Sequence, residues 1–353
     1  MDYAFYHLPG APDYHIVKGE ARYFHALPDL DGISGFVMAP FRLDGDHPVV
    51  VIPSDSVAVR HLPKQMVMAP LQWSEMNSHS VYRNDFAVLH DLLDKKILDK
   101  VVLARRSDIK VSGWTGTPRQ LFQKACWLYP RQATVLVCAS KTGSWLMSTP
   151  ELLLGCDGDR WQTMALAGTL TPDMARQWSV KDRREQDLVA QYISDTLEPL
   201  AEDVKKGNTN AVRAGSLYHL RTDFTFRLRD GVSVGSLVEA LHPTPAVCGL
   251  PKDRAMGAIA RHESIDRRYY SGFCGPWNIG GESRLYVSLR CMEMRDRKNF
   301  SLYAGGGLLE ESEEQKEWKE TEAKMQTMRD IITSRVSRQR TTIEDEIEDA
   351  IFG

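Results

Sequence analysis

The sequence predicts an α+β fold built on an antiparallel sheet. Between residues 133 and 169, short apolar stretches alternate with turns, the pattern of hairpins in series. Residues 285 to 304 repeat it, with an alternating stretch, a turn near Asp296–Asn299 and a return. Residues 180 to 205 instead repeat their apolar positions at helical spacing. Serial hairpins are not the doubly wound parallel sheet of nucleotide-binding folds.

The elements follow in order. The first eighty residues read as short strands and loops, with His47-Pro48-Val49-Val50-Val51-Ile52-Pro53 a buried strand bracketed by prolines. A helix is expected from Ser80, with Phe86, Leu89, Leu92 or Leu93, and Ile97 along one side. It leads into the β-branched strand Lys100-Val101-Val102-Leu103-Ala104-Arg105, where Lys100, taken alone, reads as a solvent-facing residue at the strand entrance. Thr117-Pro118 supplies the cap and first turn of a helix to about Tyr129. Strands are expected at about 133–139 and 144–148, then from Glu151-Leu152-Leu153-Leu154, and back through Ala165-Leu166-Ala167-Gly168-Thr169. Glu151 by itself reads as a surface residue at a strand end.

The helix over 180–205 has the stripe Leu188, Val189, Tyr192, Ile193, Leu197, Leu200 and Val204. Glu185 lies three and four positions before Leu188 and Val189, so a carboxylate sits near the inward face. Leu285 to Met294 alternates as one strand, with Tyr286, Ser288, Arg290 and Met292 sharing a face. Phe300 to Ala304 runs into Gly305–Gly307, which matches no phosphate-binding fingerprint; it is a strand-to-helix turn or a place where bare backbone meets a ligand carboxylate. Ser312 and Gln315 have the spacing of a capping box for the last helix. Residues 336–353 form a charged tail expected to fray.

Composition limits the function. A net charge of −3 leaves no basic excess for nucleic acid or an anionic membrane. No apolar run reaches spanning length, and no signal pattern opens the chain. The six cysteines form no C-x-x-C pair and sit beside apolar residues, the pattern of buried free thiols in a reducing cytoplasm and not of a zinc site.

The stretch Glu-Trp-Lys-Glu-Thr-Glu-Ala-Lys, residues 317 to 324, stands out against this background. On a helix, Glu317, Glu320 and Lys324 share one face, and the stripe continues through the apolar Met328 and Ile331. Such a face is either solvated at its charged end or holds buried charges that require partners or a metal.

Read together, the motifs point to a family. Lys100–Arg105, Thr149-Pro150-Glu151-Leu152-Leu153, Ala165–Thr169 and Lys181-Asp182-Arg183-Arg184-Glu185 come first in order. His242-Pro243-Thr244-Pro245-Ala246-Val247, Ser288-Leu289-Arg290-Cys291, Tyr303–Gly307 and the block from Glu317 follow. Over roughly residues 80 to 332 the chain resembles the chorismate-utilising enzymes, and among them most closely the isochorismate synthases. The resemblance implies a large antiparallel β-sandwich with outer helices and the active site between its sheets. Residues 1–80 would be variable N-terminal strands of the same unit, residues 81–335 the chorismate-binding part, and residues 336–353 the tail.

The resemblance also implies a Mg²⁺ site, with Glu185 and Glu320 as direct ligands and Glu317 as a ligand through water. Arg290, Lys324 and the Gly305 N–H would hold the enolpyruvyl carboxylate of chorismate, and Ala167, Gly168 and Thr169 would approach the ring carboxylate. Lys100 would be the general base activating water for attack at C2, its ammonium made easier to deprotonate by burial or positive neighbours. Glu151 would be the general acid at the departing C4 hydroxyl. His219 matches a position near the ring, or is a hydrogen-bonded core histidine. The implied activity is reversible conversion of chorismate to isochorismate, feeding menaquinone or siderophore synthesis, in a cytoplasmic monomer with no glutaminase subunit.

Related activities separate by residue type. Anthranilate synthases usually carry Gln where Lys100 stands, and aminodeoxychorismate synthases place Lys at the position of Ala167. Salicylate synthases keep the base lysine but usually lack the form His242–Val247 takes here, and they are the second reading. A non-catalytic subunit docking a glutaminase through the acidic helix would be expected to have lost some of Lys100, Glu151, Glu185, Arg290, Glu320 and Lys324, all of which are present.

Overall fold

The computed structural model describes residues 1–43, 46–55, 57–63, 65–170 and 178–339. Two antiparallel sheets lie face to face. One runs through Gly249–Leu250, Lys100–Ser112, Asn299–Leu308, Cys291–Met294, Gly143–Thr149, Ala133–Ala139, Asp2–His7, Asp13–Gly19 and Val57–His61, with Gln72–Met76 paired to the far end of Lys100–Ser112. The other runs through Ala201–Lys206, Leu217–Leu228, Arg160–Leu170, Leu152–Asp157, Arg284–Val287, Phe273–Trp277, Gly35–Ala39, Val49–Pro53 and Arg22–Phe24, with Asn210–Ala214 also on Leu217–Leu228.

Strand alternation sorts the core into layers. Val135 and Val137 join Tyr6, Trp145, Met147 and Tyr303 of the first sheet against Phe36, Met38, Val50, Ile52 and Cys274 of the second. Leu136, Leu146, Met292 and Leu302 face outward, onto helices α2 (Pro118–Leu128) and α6 (Glu314–Thr333), which come after α1 (His79–Asp94). The second sheet is covered by α3 (Val180–Leu197) and α4 (Val234–Leu241). At one end, α1 and α5 (Lys252–His262) pack Phe86, Leu89, Ala255 and Ile259 against Val101 and Leu103. Each large side chain so buried contributes about 1.5–3 kcal/mol by leaving water.

The sandwich with outer helices is therefore present, and the first eighty residues add strands to both sheets. Several local expectations are corrected. Helix α3 stops at Leu197 because Pro199 cannot continue it; the chain resumes as the strand Ala201–Lys206, where Val204 is exposed. Helix α1 ends at Asp94, and Lys96 takes a left-handed φ of 55°, so Ile97 lies off the helix and is exposed. The capping box on α6 does not form: Glu313 is the cap, and the Ser312 hydroxyl accepts from the Leu309 N–H. Val336–Gln339 pairs with Gln65–Met68, so the start of the expected frayed tail is a strand; residues 340–353 lie outside the described residues. The six cysteines are free, five of them buried.

The largest correction concerns Leu285 to Met294. It is two strands in two different sheets, Arg284–Val287 and Cys291–Met294, joined by Ser288, Leu289 and Arg290. Both strands alternate in polarity, so the break leaves no mark on the pattern. In the crossing, Leu289 N–H donates to Val287 O, and Arg290 adopts a φ of 43°. A non-glycine residue there carries roughly 1–3 kcal/mol of strain, which its surroundings must hold in place. A second crossing lies alongside: Pro150 and Glu151 join Gly143–Thr149 of the first sheet to Leu152–Asp157 of the second. The two are laced together, since Ser148 N–H donates to Arg290 O and Val287 N–H donates to Glu151 O.

Candidate active site

Glu151, Ala167, Gly168, Thr169, Glu185, His219, Arg290, Gly305 and Lys324 all line one cleft between the sheets, with about 600 Å³ of empty space partly open to solvent. Lys100, Glu317 and Glu320 stand directly behind these residues.

Glu151 is fully enclosed, and its placement on the crossing fixes it. Its carboxyl is pushed up to about 8, chiefly by burial, although Lys100, Lys324 and Arg290 pull it down. It is thus a neutral acid at neutral pH, not the surface residue its position alone suggests.

Arg290 enters from the neighbouring crossing. Its Nη2 donates to His219 Nε2 at 2.8 Å, while Nη1 is buried without a partner. Burial lowers the guanidinium to about 10, still cationic at neutral pH. His219 Nδ1 donates to Gly168 O at 2.7 Å, so both ring nitrogens have assigned roles and the imidazole is neutral. Burial, Arg290 and Lys324 hold it down at about 3. His219 is therefore a hydrogen-bonded core histidine and also a wall of the cleft. Gly168 has a φ of 68° where the register of Arg160–Leu170 shifts between Ala167 and Leu170. This bulge frees the Gly168 carbonyl for His219 and turns Thr169 toward the Glu320 carboxylate, which it hydrogen-bonds.

The 317–324 block is positioned by its own Trp and Thr. The Arg105 guanidinium lies 3.8 Å over the Trp318 ring and donates to Thr321 Oγ1 at 2.6 Å, and Tyr82 packs edge-on against Trp318. Met325, Met328 and Ile331 bury further along α6. These contacts fix the rotation of the helix, so Glu317, Glu320 and Lys324 point inward.

They point at glycines. Gly305–Gly307 is not a turn but the end of the strand Asn299–Leu308, a correction that the neighbouring carboxylates explain. A Cβ on Gly307 would stand 2.1 Å from Glu185 Oε1, and one on Gly306 would stand 3.2 Å from Glu317 Oε2 and 3.8 Å from Glu320 Oε1. Three carboxylates from two helices thus converge on two bare residues of one strand. Gly305 faces Ala104, but Ala104 N–H donates to Glu263 and Gly305 O accepts from Lys324 at 2.9 Å. The pair is a non-hydrogen-bonded one, and the Gly305 N–H leaves on the same edge as its carbonyl, toward the cleft.

Each carboxylate has a lysine. Lys100 Nζ lies 2.9 Å from Glu185 Oε1, Lys324 Nζ lies 2.6 Å from Glu320 Oε1, and Lys181 Nζ pairs with Glu317 Oε1. Burial raises Glu320, but Lys324 and Lys181 outweigh it and hold the carboxylate low. Glu317 is raised by burial and by the Glu320 charge, and its Oε2 is buried without a partner. Among the described residues, no three metal-ligating groups are arranged to hold an ion as they stand. The donor set is all hard oxygen, and the unpartnered Glu317 oxygen and the Glu317–Glu320 repulsion are what a bound dication would relieve, so the residues fit Mg²⁺.

Lys100 departs from its expectations in two respects. It is wholly buried, not solvent-facing, and its charged neighbour is a carboxylate where positive charge was one anticipated alternative. Its ammonium rests on Glu185 and does not line the cleft. Residues without an assigned role in the sequence reading also belong here. Lys181 announces itself only by lying four positions before Glu185 on the same helix face. Tyr270 and Leu289 line the cleft with no local signal.

A family model described as chorismate binding enzyme matches residues 58–333. Isochorismate synthase EntC of Escherichia coli (strain K12) is 31% identical over 245 residues, covering 66% of this chain and 62% of that protein. Isochorismate synthase DhbC of Bacillus subtilis (strain 168) is 33% identical over 195 residues, covering 52% of this chain and 49% of that one. The chain thus spans less than two thirds of the length of these curated relatives. Among solved structures, MenF, the menaquinone-specific isochorismate synthase from Escherichia coli, superposes with a TM-score of 0.76 over 94% of this chain and 89% of that one, a likeness of fold at 21% identity.

Proposed function

Because the chain belongs to the family of chorismate-binding enzymes, we propose that it is an isochorismate synthase, moving a hydroxyl from C4 of chorismate to C2, with isochorismate passing to menaquinone or siderophore synthesis. The observation that carries this reading is the pairing of a neutral buried acid, Glu151, with the unpartnered Arg290 Nη1 in one cleft. A dicarboxylic ring acid needs both: a cation to fix it and a proton for its leaving hydroxyl.

The steps follow from this chain's own groups. Arg290 Nη1, Lys324 and the Gly305 N–H hold the enolpyruvyl carboxylate, while His219 occupies Arg290 Nη2 and so aims the other half of the fork. Thr169 and the bulge at Gly168 face the ring carboxylate. Glu185, Glu317 and Glu320 would hold a Mg²⁺, which supplies fixed positive charge for that carboxylate when bound. Glu151 donates its proton to the C4 oxygen as the C–O bond breaks. Lys100 acts as base as the neutral amine: once its ammonium has given up a proton and turned from Glu185 toward the ring, it takes a proton from the water that attacks C2. Lys100 and not Gln at that position supports water over ammonia as nucleophile. As water adds at C2, the two ring double bonds each shift along the ring toward C4 and expel the C4 hydroxyl as water, so one water enters, one leaves, and the reaction is balanced and reversible.

Incubation with chorismate and Mg²⁺, with products separated by chromatography, tests the reading. Isochorismate without pyruvate is the expected outcome. Salicylate with pyruvate would replace it with salicylate synthase, and no conversion would overturn both.

A further inference from the structure

We propose that Lys181 is a built-in substitute for the metal: in the metal-free protein its ammonium stands in for the cation among Glu185, Glu317 and Glu320, and it must be displaced before a dication can bind. The inference rests on the Mg²⁺ reading above.

Lys100 and Lys324 have destinations in the proposed chemistry, one at the attacking water and one at the substrate carboxylate. Lys181 has none, yet its side chain is only 19% exposed and is paired with Glu317, itself 3% exposed. Its position is costly. As the second residue of α3, it places a positive charge in the first helical turn, where the backbone N–H groups already concentrate positive potential. The buried Glu317 carboxylate paired with it offsets that potential. The Lys181 Nζ pairs with Glu317 Oε1, on the carboxylate whose other oxygen is buried without a partner, and Glu317 and Glu320 both lie against Gly306. Lys100 comes from the sheet beside Glu185, and Lys324 lies one helical turn along from Glu320.

The consequence is an exchange. Without Lys181, Glu317 would face Glu320 across Gly306 with no cation of its own; with it, Glu317 is held in place but one of its oxygens is occupied. The stand-in thus supports the metal-free fold and weakens metal affinity.

Magnesium chloride alone, titrated calorimetrically into protein purified with Mg²⁺ and stripped by chelator, tests this without turnover. Lys181→Gln should bind Mg²⁺ about tenfold tighter or more, from loss of one competing charge at close range. Lys181→Arg, which keeps the charge, should stay near wild type. Stripped Lys181→Gln should melt several degrees below stripped wild type, with the gap closing on addition of Mg²⁺. If the stripped variant does not stay folded, release of Mg²⁺ from loaded protein into excess chelator gives the same answer, and should be about tenfold slower in Lys181→Gln. Equal or weaker binding, or equal or faster release, overturns the proposal while leaving the metal site standing. Absence of Mg²⁺ binding by wild type and variant alike overturns both.

Discussion

Gly307→Ala is the most demanding test of the site geometry. The added methyl would lie 2.1 Å from Glu185 Oε1, 2.8 Å from Glu185 Cδ and 3.1 Å from Lys100 Cε. Ordinary contact begins at 3.4 Å, so the carboxylate oxygen has to retreat by about 1.3 Å, the difference between 3.4 and 2.1. What the methyl meets is the end of a flexible side chain and no backbone atom, so the fold accommodates it. Overpacking of this kind costs about 1–3 kcal/mol, a shift of a few degrees in melting temperature. The site does not accommodate it equally well. A misplacement near 1 Å in a catalytic constellation costs about 100-fold, equivalent to roughly 2.7 kcal/mol of transition-state stabilisation. Chorismate turnover followed by chromatography, alongside thermal melting and Mg²⁺ titration, separates the two effects. A folded Gly307→Ala protein with wild-type turnover would refute the placement of Glu185 against this strand.

Other substitutions probe the remaining groups. Glu151→Gln should lower kcat by about 10²–10⁴-fold while chorismate still binds, as expected for loss of a general acid. Wild-type turnover should fall as pH rises through about 8, where Glu151 gives up its proton. The same group has a stability signature: its folded pKa lies above its unfolded value, so the folded state holds an extra proton between about 4.5 and about 8. Wild type should lose stability relative to Glu151→Gln as pH rises across that window, and equal slopes in denaturant titrations would count against the buried acid. Lys100→Ala should abolish water addition with chorismate binding retained, and normal turnover would falsify its role as base. His219→Ala leaves Arg290 Nη2 and Gly168 O without partners; about 1–3 kcal/mol of stability should be lost, and KM should rise more than kcat falls.

Helical spacing and family order made most of the site legible. Glu317, Glu320 and Lys324 were readable as one face from their numbering alone, and the partners that bury them came from motifs elsewhere in the chain. Glu185 was legible for the same reason, since an acid on an apolar stripe contradicts its surroundings. Spacing could not show the break between Val287 and Cys291, because two strands in different sheets alternate as well as one strand does. Nor could it show that Gly305–Gly307 stays in the ladder, which depends on side chains contributed by α3 and α6. Ser312 and Gln315 had the spacing of a cap, but the Ser312 hydroxyl was claimed by Leu309 one turn too early. Tyr270 and Leu289 became visible only when the two sheets were closed on each other.

The paired crossings at Pro150–Glu151 and Ser288–Arg290 act as stitches through both sheets, and each stitch carries a residue of the proposed chemistry. The acid and the arginine are therefore spaced by the seam itself and not by mobile loops. Any splaying of the sandwich pulls on both at once, so the protein has little room to inactivate while its core stays closed. Loss of activity on heating should track loss of the core, and gains in stability made far from the cleft should carry through to the temperature range over which it works.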